Sequence, residues 1–218
     1  MRAIVLLLML GVCAAVLPSC QAVAAAEANR RRHSTHLVKA DFTGLEGKTI
    51  AVVVAADRFI QSDHPDLVDY VTTNLTKRLS QSAIRPNPSG YVPAKEVLTY
   101  LYDNPAWPSK PMTEIAKGLG GVERIVFVEL SEFRLREPGN QYEWDGVASG
   151  TVAVVAVDST TPDEYVYQKP ITVRYPDGKG YGPEQVSMSA VMTELARRFV
   201  ERTAWHFYDH EEPYEPKY

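Results

Sequence analysis

The stretch Thr49-Ile50-Ala51-Val52-Val53-Val54-Ala55 determines the fold of this chain. It is rich in β-branched residues, which favour strands, and every residue from Ile50 to Ala55 is apolar. A strand that is apolar on both faces has to be covered on both sides. The stretch therefore predicts a central strand of an α/β domain.

A helix is predicted after this strand, because apolar residues recur there at spacings of three and four. Pro65 suits the first helical turn, and Asp63 or Asp66 could cap it or complement its dipole. Further along, Ile84-Arg85-Pro86 can form only a short or edge strand, since proline has no N–H to donate. The residues that carry the helical period are Leu67, Val68, Val71, Leu75 and Leu79.

The rest of the chain predicts two helices from about Pro93 and Pro111, three strands, and a last helix with an apolar stripe from Met188 to Phe199. The connections between the three strands are short enough for antiparallel neighbours. The predicted fold class is α/β (α+β-like), a single domain with a mixed sheet of about five strands, an antiparallel three-strand meander, and about three to four packed helices. The predicted meander strands are Arg124–Leu130, Gly146–Asp158 and Glu164–Val173.

The chain resembles a recurring envelope module in Thr49–Ala55 with the helix that follows it, and in the segments Ala94–Leu101, Ile115–Gly120 and Arg124–Leu130. The module is found in the amino-terminal domain of the Tol-system translocation protein, in the curli secretion lipoprotein and in lipoprotein activators of penicillin-binding proteins. The module usually has Ala-Asp after its helix, where this chain has Gly121-Val122-Glu123. It commonly has glycine in the strand that follows, where this chain has Glu129. The resemblance implies a non-enzymatic module that docks other envelope proteins.

The amino terminus has the layout of a secretory signal, with Arg2 before the apolar run Ala3–Leu17, which is too short for a spanning helix. Leu17-Pro18-Ser19-Cys20 resembles the lipobox of bacterial lipoproteins. This resemblance implies that residues 1–19 are removed and that Cys20 carries the lipid, including palmitate. The alternative is cleavage after Ala22-Val23-Ala24, which would release a soluble periplasmic or secreted protein.

The predicted organisation is a lipoprotein signal peptide at 1–19, a lipid-anchored tether at 20–47, the α/β envelope domain at 48–208 and an acidic tail at 209–218. By resemblance to enterobacterial lipoproteins, Gln21 after the lipidated cysteine favours delivery to the outer membrane, facing the periplasm. Cys13 falls in the signal and Cys20 is lipidated, so no disulfide is predicted in the domain. The formal net charge of −4 and the export signal argue against nucleic acid as a partner.

His206 and His210 have the spacing that places two imidazoles on one helix face in zinc sites. Phe207 stands where a HExxH hydrolase needs glutamate, so the pair is a weak metal candidate and we predict no metal and no cofactor. A second candidate is the carboxylate-rich loop Asp57–Asp66 after the first strand, where open α/β sheets often bind ligands. The structural interpretation explains these acids better, because Asp63 can cap the helix and Asp66 complements its dipole.

No catalytic residues are predicted, because the serines lack a Gly-x-Ser-x-Gly elbow and the one remaining thiol would be blocked. Aromatic residues at loop positions commonly anchor protein partners. Trp107, Tyr142 and Trp144 are the candidate partner-binding residues on this basis.

The sequence thus predicts a lipid-anchored envelope protein that acts as a non-enzymatic binding or assembly factor with an envelope protein partner. One alternative is a secreted hydrolase or metal-dependent enzyme using the Asp57–Asp66 loop or His206 and His210. A second alternative is an oligomeric subunit of a secretion system, like the curli lipoprotein.

The lipid anchor predicts that Cys20→Ala moves the protein from the membrane fraction to the soluble fraction, because the acylated side chain is lost. Cell fractionation followed by immunoblotting measures this. Cys13→Ala is the matched control, since Cys13 lies in the predicted signal and its loss should leave membrane attachment intact. Membrane attachment of the Cys20→Ala chain would contradict the anchor.

Overall fold

The structure is a computed structural model that describes residues 34–81 and 86–213. The chain falls into two compact units, one of which is Lys39–Asp209. The described residues of the other unit are 34–38 and 210–213. In chain order the described elements are β1 (Thr35–Val38), β2 (Thr49–Ala56), α1 (Arg58–Asp63), α2 (Leu67–Ser80), β3 (Gly90–Tyr91), α3 (Ala94–Asp103), a 3-10 turn (Trp107–Ser109), α4 (Met112–Gly118), β4 (Arg124–Arg134), β5 (Gly146–Ala156), β6 (Tyr165–Tyr175), α5 (Met188–Trp205) and β7 (His210–Pro213).

The larger unit is an α/β domain built on a mixed sheet with the strand order β3-β2-β4-β5-β6. Strand β2 runs parallel to β3 and β4, while β4, β5 and β6 form an antiparallel meander. Helices pack on the sheet, and the predicted fold class is confirmed. The described residues contain five α-helices, more than predicted, because Arg58–Asp63 forms a short helix where the sequence predicts a loop.

Both faces of β2 are buried, as predicted. Ile50, Val52 and Val54 face a core that contains residues of α2 and α5. On the other face, Ala51 and Val53 pack with residues of α3 and α4. The alternation of strand side chains explains why two separate hydrophobic cores flank one strand.

The smaller unit is an antiparallel pair of β1 and β7, with Thr35 opposite Pro213 and Val38 opposite His210. The Thr35 hydroxyl donates a 2.8 Å hydrogen bond to Glu211 Oε2. The predicted acidic tail therefore begins with a strand, because the extended acidic residues find backbone partners in β1.

The domain begins earlier than predicted. Leu45, which the sequence assigns to the tether, is fully buried in the core, and Phe42 packs against the same core. Burying these two apolar side chains stabilises the fold, although the charged residues around them give the segment the composition of a linker.

The helix predicted from Pro65 begins at Leu67, because Pro65 and Asp66 form a turn that separates it from α1. The predicted strand at Ile84–Pro86 lies partly outside the described residues, and Pro86 itself is in a turn. The short edge strand is β3, four residues further along, paired in parallel with the start of β2.

Gly150 occupies a crowded position in the middle of the meander. It lies opposite Leu130, next to an irregularity in the β4–β5 register between Leu130 and Glu132. A Cβ atom at Gly150 would overlap the backbone carbonyl oxygen of Glu129. The close approach of the two strands therefore requires glycine there.

We predict that Gly150→Ala lowers the free energy of unfolding by about 3 kcal/mol, since a backbone atom cannot move aside as a side chain would. Denaturant unfolding followed by circular dichroism measures it. Gly90→Ala is the matched control in the same sheet, because a Cβ there would lie 3.5 Å from Thr49 Cγ2, at ordinary contact distance. Equal losses in the two variants would refute the steric argument.

Candidate functional site

The helices between β2 and β3 cover one face of the sheet, and those between β3 and β4 cover the other. This change of face occurs at the carboxyl end of β2. The connection from β2 to β3 passes through α2, which packs on one face, and the connection from β3 to β4 passes through α3 and α4, on the other face. Crevices outside the carboxyl ends of strands at such switch points are the usual ligand sites of open α/β sheets.

A groove of about 810 Å³, here called the β2 groove, opens at this point. Its size is within the range of binding clefts for small ligands and peptide side chains. The last residues of β2 lie at its base, α1 and α2 supply one set of lining residues, and α3 with the 3-10 turn supplies another. The lining residues are Val54, Ala55, Ala56, Arg58, Gln61, Pro65, Asp66, Val68, Asp69, Leu98, Thr99, Leu101, Tyr102, Pro105, Trp107 and Pro108.

Aromatic and proline side chains line the groove on the side of α3 and the 3-10 turn. Tyr102 is 86% exposed, although it is a large side chain on a core-packed helix. Trp107 is half-buried, and its ring meets Phe127 edge-on with 6.4 Å between centroids. Pro105 and Pro108 bracket the tryptophan and restrict the backbone on either side of it. The groove therefore has one pre-formed apolar wall.

Charged side chains line the groove on the side of α1 and α2. Asp57 caps α1 by accepting a 2.8 Å hydrogen bond from the Phe59 backbone N–H, which places the next residue, Arg58, in the lining. Asp66 is the N-cap residue of α2 but makes no side-chain capping bond, and Asp69 lies one turn further. Among the residues that the structure describes, Arg58, Asp66 and Asp69 have no side-chain hydrogen bond or ion pair.

A smaller hollow of about 250 Å³ lies on the other side of Pro65 and Asp66, which line both depressions. Asp63, His64, Tyr70 and Met192 are among its lining residues. The His64 ring packs edge-on against Phe133 with centroids 4.9 Å apart, and burial lowers the pKa of His64. The predicted Asp57–Asp66 segment thus borders two depressions.

The predicted partner-binding residues have different environments. Trp107 lines the β2 groove, while Tyr142 is 84% exposed in the loop between β4 and β5. Trp144 is only 3% exposed, so its ring is not available at the surface. Its indole N–H donates a 2.8 Å hydrogen bond to the Val186 carbonyl oxygen, and the Arg136 guanidinium lies 4.0 Å from the ring centroid. Trp144 thus packs against the segment before α5, which the sequence pattern did not reveal.

His206 and His210 do not share a helix face. Helix α5 ends at Trp205, with His206 as its C-cap residue, and His210 begins β7. Within residues 34–81 and 86–213, no group of three or more histidine, cysteine, aspartate or glutamate side chains has an arrangement suited to a metal ion. Cys20 lies outside the described residues.

The residues before β2 are held by a polar cluster that the sequence did not predict. His206 Nδ1 lies 2.9 Å from Asp41 Oδ2 and 2.9 Å from the Tyr167 hydroxyl. The Phe42 backbone N–H donates a 2.9 Å hydrogen bond to the His206 carbonyl oxygen, and the Phe42 ring packs on Tyr167 with centroids 5.2 Å apart. We call Asp41, Phe42, Tyr167 and His206 the entry clamp, because together they fasten the start of the domain to the end of α5.

The pKa values in the entry clamp are shifted by burial and hydrogen bonding. Burial lowers the pKa of His206, and the hydrogen bond to Asp41 partly offsets this effect. The same hydrogen bond lowers the pKa of Asp41, and burial raises the pKa of Tyr167. At neutral pH the cluster is therefore a neutral histidine beside a carboxylate and a neutral phenol.

No protein-family model matches this chain, and no curated protein matches it by sequence. Among solved structures, it is similar to a dodecamer of a single-residue variant of PelC from Paraburkholderia phytofirmans, with 13% identity and a TM-score of 0.42 over 78% of this chain and 98% of that chain. It is also similar to the lipoprotein GNA1162 from Neisseria meningitidis, with 11% identity and a TM-score of 0.45 over 72% of this chain and 98% of that chain. The hypothetical protein CT253 from Chlamydia trachomatis gives 14% identity and a TM-score of 0.37, over 72% and 97% of the two chains.

These neighbours include a lipoprotein, but at such scores the similarity supports no conclusion about function. The Tol, curli and penicillin-binding-protein activator families, which the sequence resembles, are not among these three structures. In the part of the chain that the structure describes, no helix combines the length and apolar character needed to cross a membrane.

Acidification is predicted to destabilise the domain between about pH 7.5 and 5.5, around the ordinary pKa of histidine. The pKa values of His206 and His64 are lowered by burial, so the unfolded chain binds protons there more readily than the folded one. Stability therefore falls as the pH drops through the unfolded-state value of about 6.5. Urea unfolding at a series of pH values measures it.

His206→Gln and His64→Gln should each reduce this pH dependence, since glutamine keeps a polar side chain but does not titrate. The double variant should show the smallest slope of unfolding free energy against pH. An unchanged slope in the double variant would show that other groups control the acid response.

Proposed function

We propose that this chain is a lipid-anchored protein of the cell envelope that acts, without catalysing a reaction, by binding a partner protein in the β2 groove. Cys20 is the proposed lipid site, and the domain faces the periplasm, at the outer membrane. The lipobox-like Leu17-Pro18-Ser19-Cys20 supports the anchor, and Gln21 supports outer-membrane delivery by resemblance to enterobacterial lipoproteins.

The observation that carries the binding proposal is the exposure of Tyr102 within a pre-formed groove. Tyrosine and tryptophan are enriched among the residues that contribute most to protein–protein binding, because they bury a large area at a small cost in side-chain entropy. Tyr102 is 86% exposed and lines the same depression as Trp107. The packing of Trp107 on Phe127 holds that wall in place before any partner arrives.

A lipid anchor would strengthen partner binding in the β2 groove beyond what the contacts in the groove provide. Confinement to a membrane converts an encounter in solution into one at high effective concentration, so a partner in the same membrane binds more strongly than the contacts alone provide. Weak docking in an open groove is then sufficient for a stable assembly.

The proposal predicts that Tyr102→Ala weakens binding of the partner by about 2 kcal/mol, or roughly thirtyfold, as expected for an aromatic anchor residue. The measurement is quantitative mass spectrometry of proteins crosslinked to the full-length chain in its native cells and then purified with it. Proteins that depend on the groove should be depleted in the Tyr102→Ala sample.

Tyr142→Ala is the matched control, because Tyr142 is 84% exposed and the substitution removes the same side chain outside the groove. Depletion in the Tyr142→Ala sample alone would move the binding surface to the β4–β5 loop. Identical protein sets for both variants and the wild type would refute groove binding.

A further inference from the structure

Two carboxylates lie on the same wall of the β2 groove. Asp66 is the N-cap residue of α2 and Asp69 is in its first turn, so the two side chains lie on neighbouring positions of the helix surface. Within the described ranges, neither carboxylate accepts a side-chain hydrogen bond or forms an ion pair. Both therefore remain available to a ligand.

Among the described residues that line the groove, Arg58 is the only basic one, and Asp66 and Asp69 are the carboxylates, so carboxylates outnumber cations there by two to one. The acidic excess continues beside the groove, because Asp63 lines the adjoining hollow together with Asp66. A groove with this charge favours a cationic ligand and disfavours an anionic one.

The aromatic wall suits the same kind of ligand. The faces of tyrosine and tryptophan rings attract lysine and arginine side chains, and Tyr102 and Trp107 line the groove together with Asp66 and Asp69. Grooves walled by aromatic side chains are also common receptors for extended, proline-containing segments. Carboxylates and an aromatic wall thus point to one ligand chemistry.

We propose that the β2 groove binds an extended segment of a partner protein that carries a lysine or arginine side chain, held by Asp66 and Asp69 and packed on Tyr102. This inference rests on the proposed function, because it specifies the chemistry of the segment that docks in the same groove. Arg58 limits the site to segments with isolated positive charges, since a continuous basic stretch would meet its guanidinium.

The experiment places a photoreactive benzophenone amino acid at Thr99, an exposed residue that also lines the groove. The full-length chain is irradiated in its native cells, and mass spectrometry identifies the crosslinked peptide. We expect a peptide from another protein with a lysine or arginine within a few residues of the crosslink. We also expect its yield to fall about fivefold or more in the Asp66→Asn/Asp69→Asn variant, since charged pairs steer and hold such segments.

Arg58→Gln is the matched control, because it removes a charge of opposite sign from the same groove, and its crosslink yield should stay the same or rise. Thermal unfolding checks that all variants are folded. If the double variant does not fold, the single Asp69→Asn variant should still lower the yield while Arg58→Gln does not.

The outcomes separate this inference from the proposed function. A crosslinked partner peptide without a basic residue, or a yield that is insensitive to the aspartates, would overturn the cationic segment but leave the groove as the docking site. A crosslink only to a second copy of this chain would replace the partner with self-association. The absence of any crosslink from Thr99 would overturn both.

Discussion

Strand β2 buries both of its faces, and much of the architecture follows from this requirement. Neither face contains a polar side chain between Ile50 and Val54, so helices have to cover the strand on both sides. The chain satisfies this requirement by placing α2 on one face and α3 and α4 on the other. The change of face leaves the carboxyl end of β2 between two layers of helices, and the β2 groove lies there. The candidate site is thus a consequence of how the central strand is covered.

The elements that the sequence predicted well are those with a strong period. Strand β2 is a continuous apolar run, the meander has an alternating pattern and α5 has an apolar stripe, and the structure places these elements within a few residues of the predicted bounds. The short helix α1 was missed because six residues with one buried side chain, Ile60, show no period. The sequence predicts only the place of the β2 groove, at the end of the first predicted strand. It does not predict the lining, because the fold brings residues 54–69 and 98–108 together. The sequence shows the charged and aromatic residues of those two segments, but it does not show that the segments line the same groove.

Contacts between distant residues explain most of the errors. The entry clamp joins Asp41 to His206 across 165 positions, and no local pattern reports such a pair. Leu45 falls in the predicted tether, which opens with small residues and contains Arg30-Arg31-Arg32, yet its side chain is fully buried in the core. Trp144 is a candidate partner-binding residue in the sequence because it is an aromatic residue at a predicted hairpin, whereas its indole packs under Arg136 and donates a hydrogen bond to the Val186 carbonyl oxygen. In each case the deciding partner is remote in sequence.

The entry clamp and the β2 groove are built from different residues. The chain enters the sheet at Thr49, shortly after the entry clamp, and the β2 groove begins at the other end of the strand, near Val54 to Ala56. Eight residues of extended backbone place these two ends about 25 Å apart. None of the four entry-clamp residues lines the β2 groove, so a ligand in the groove does not have to displace the residues that hold the start of the domain.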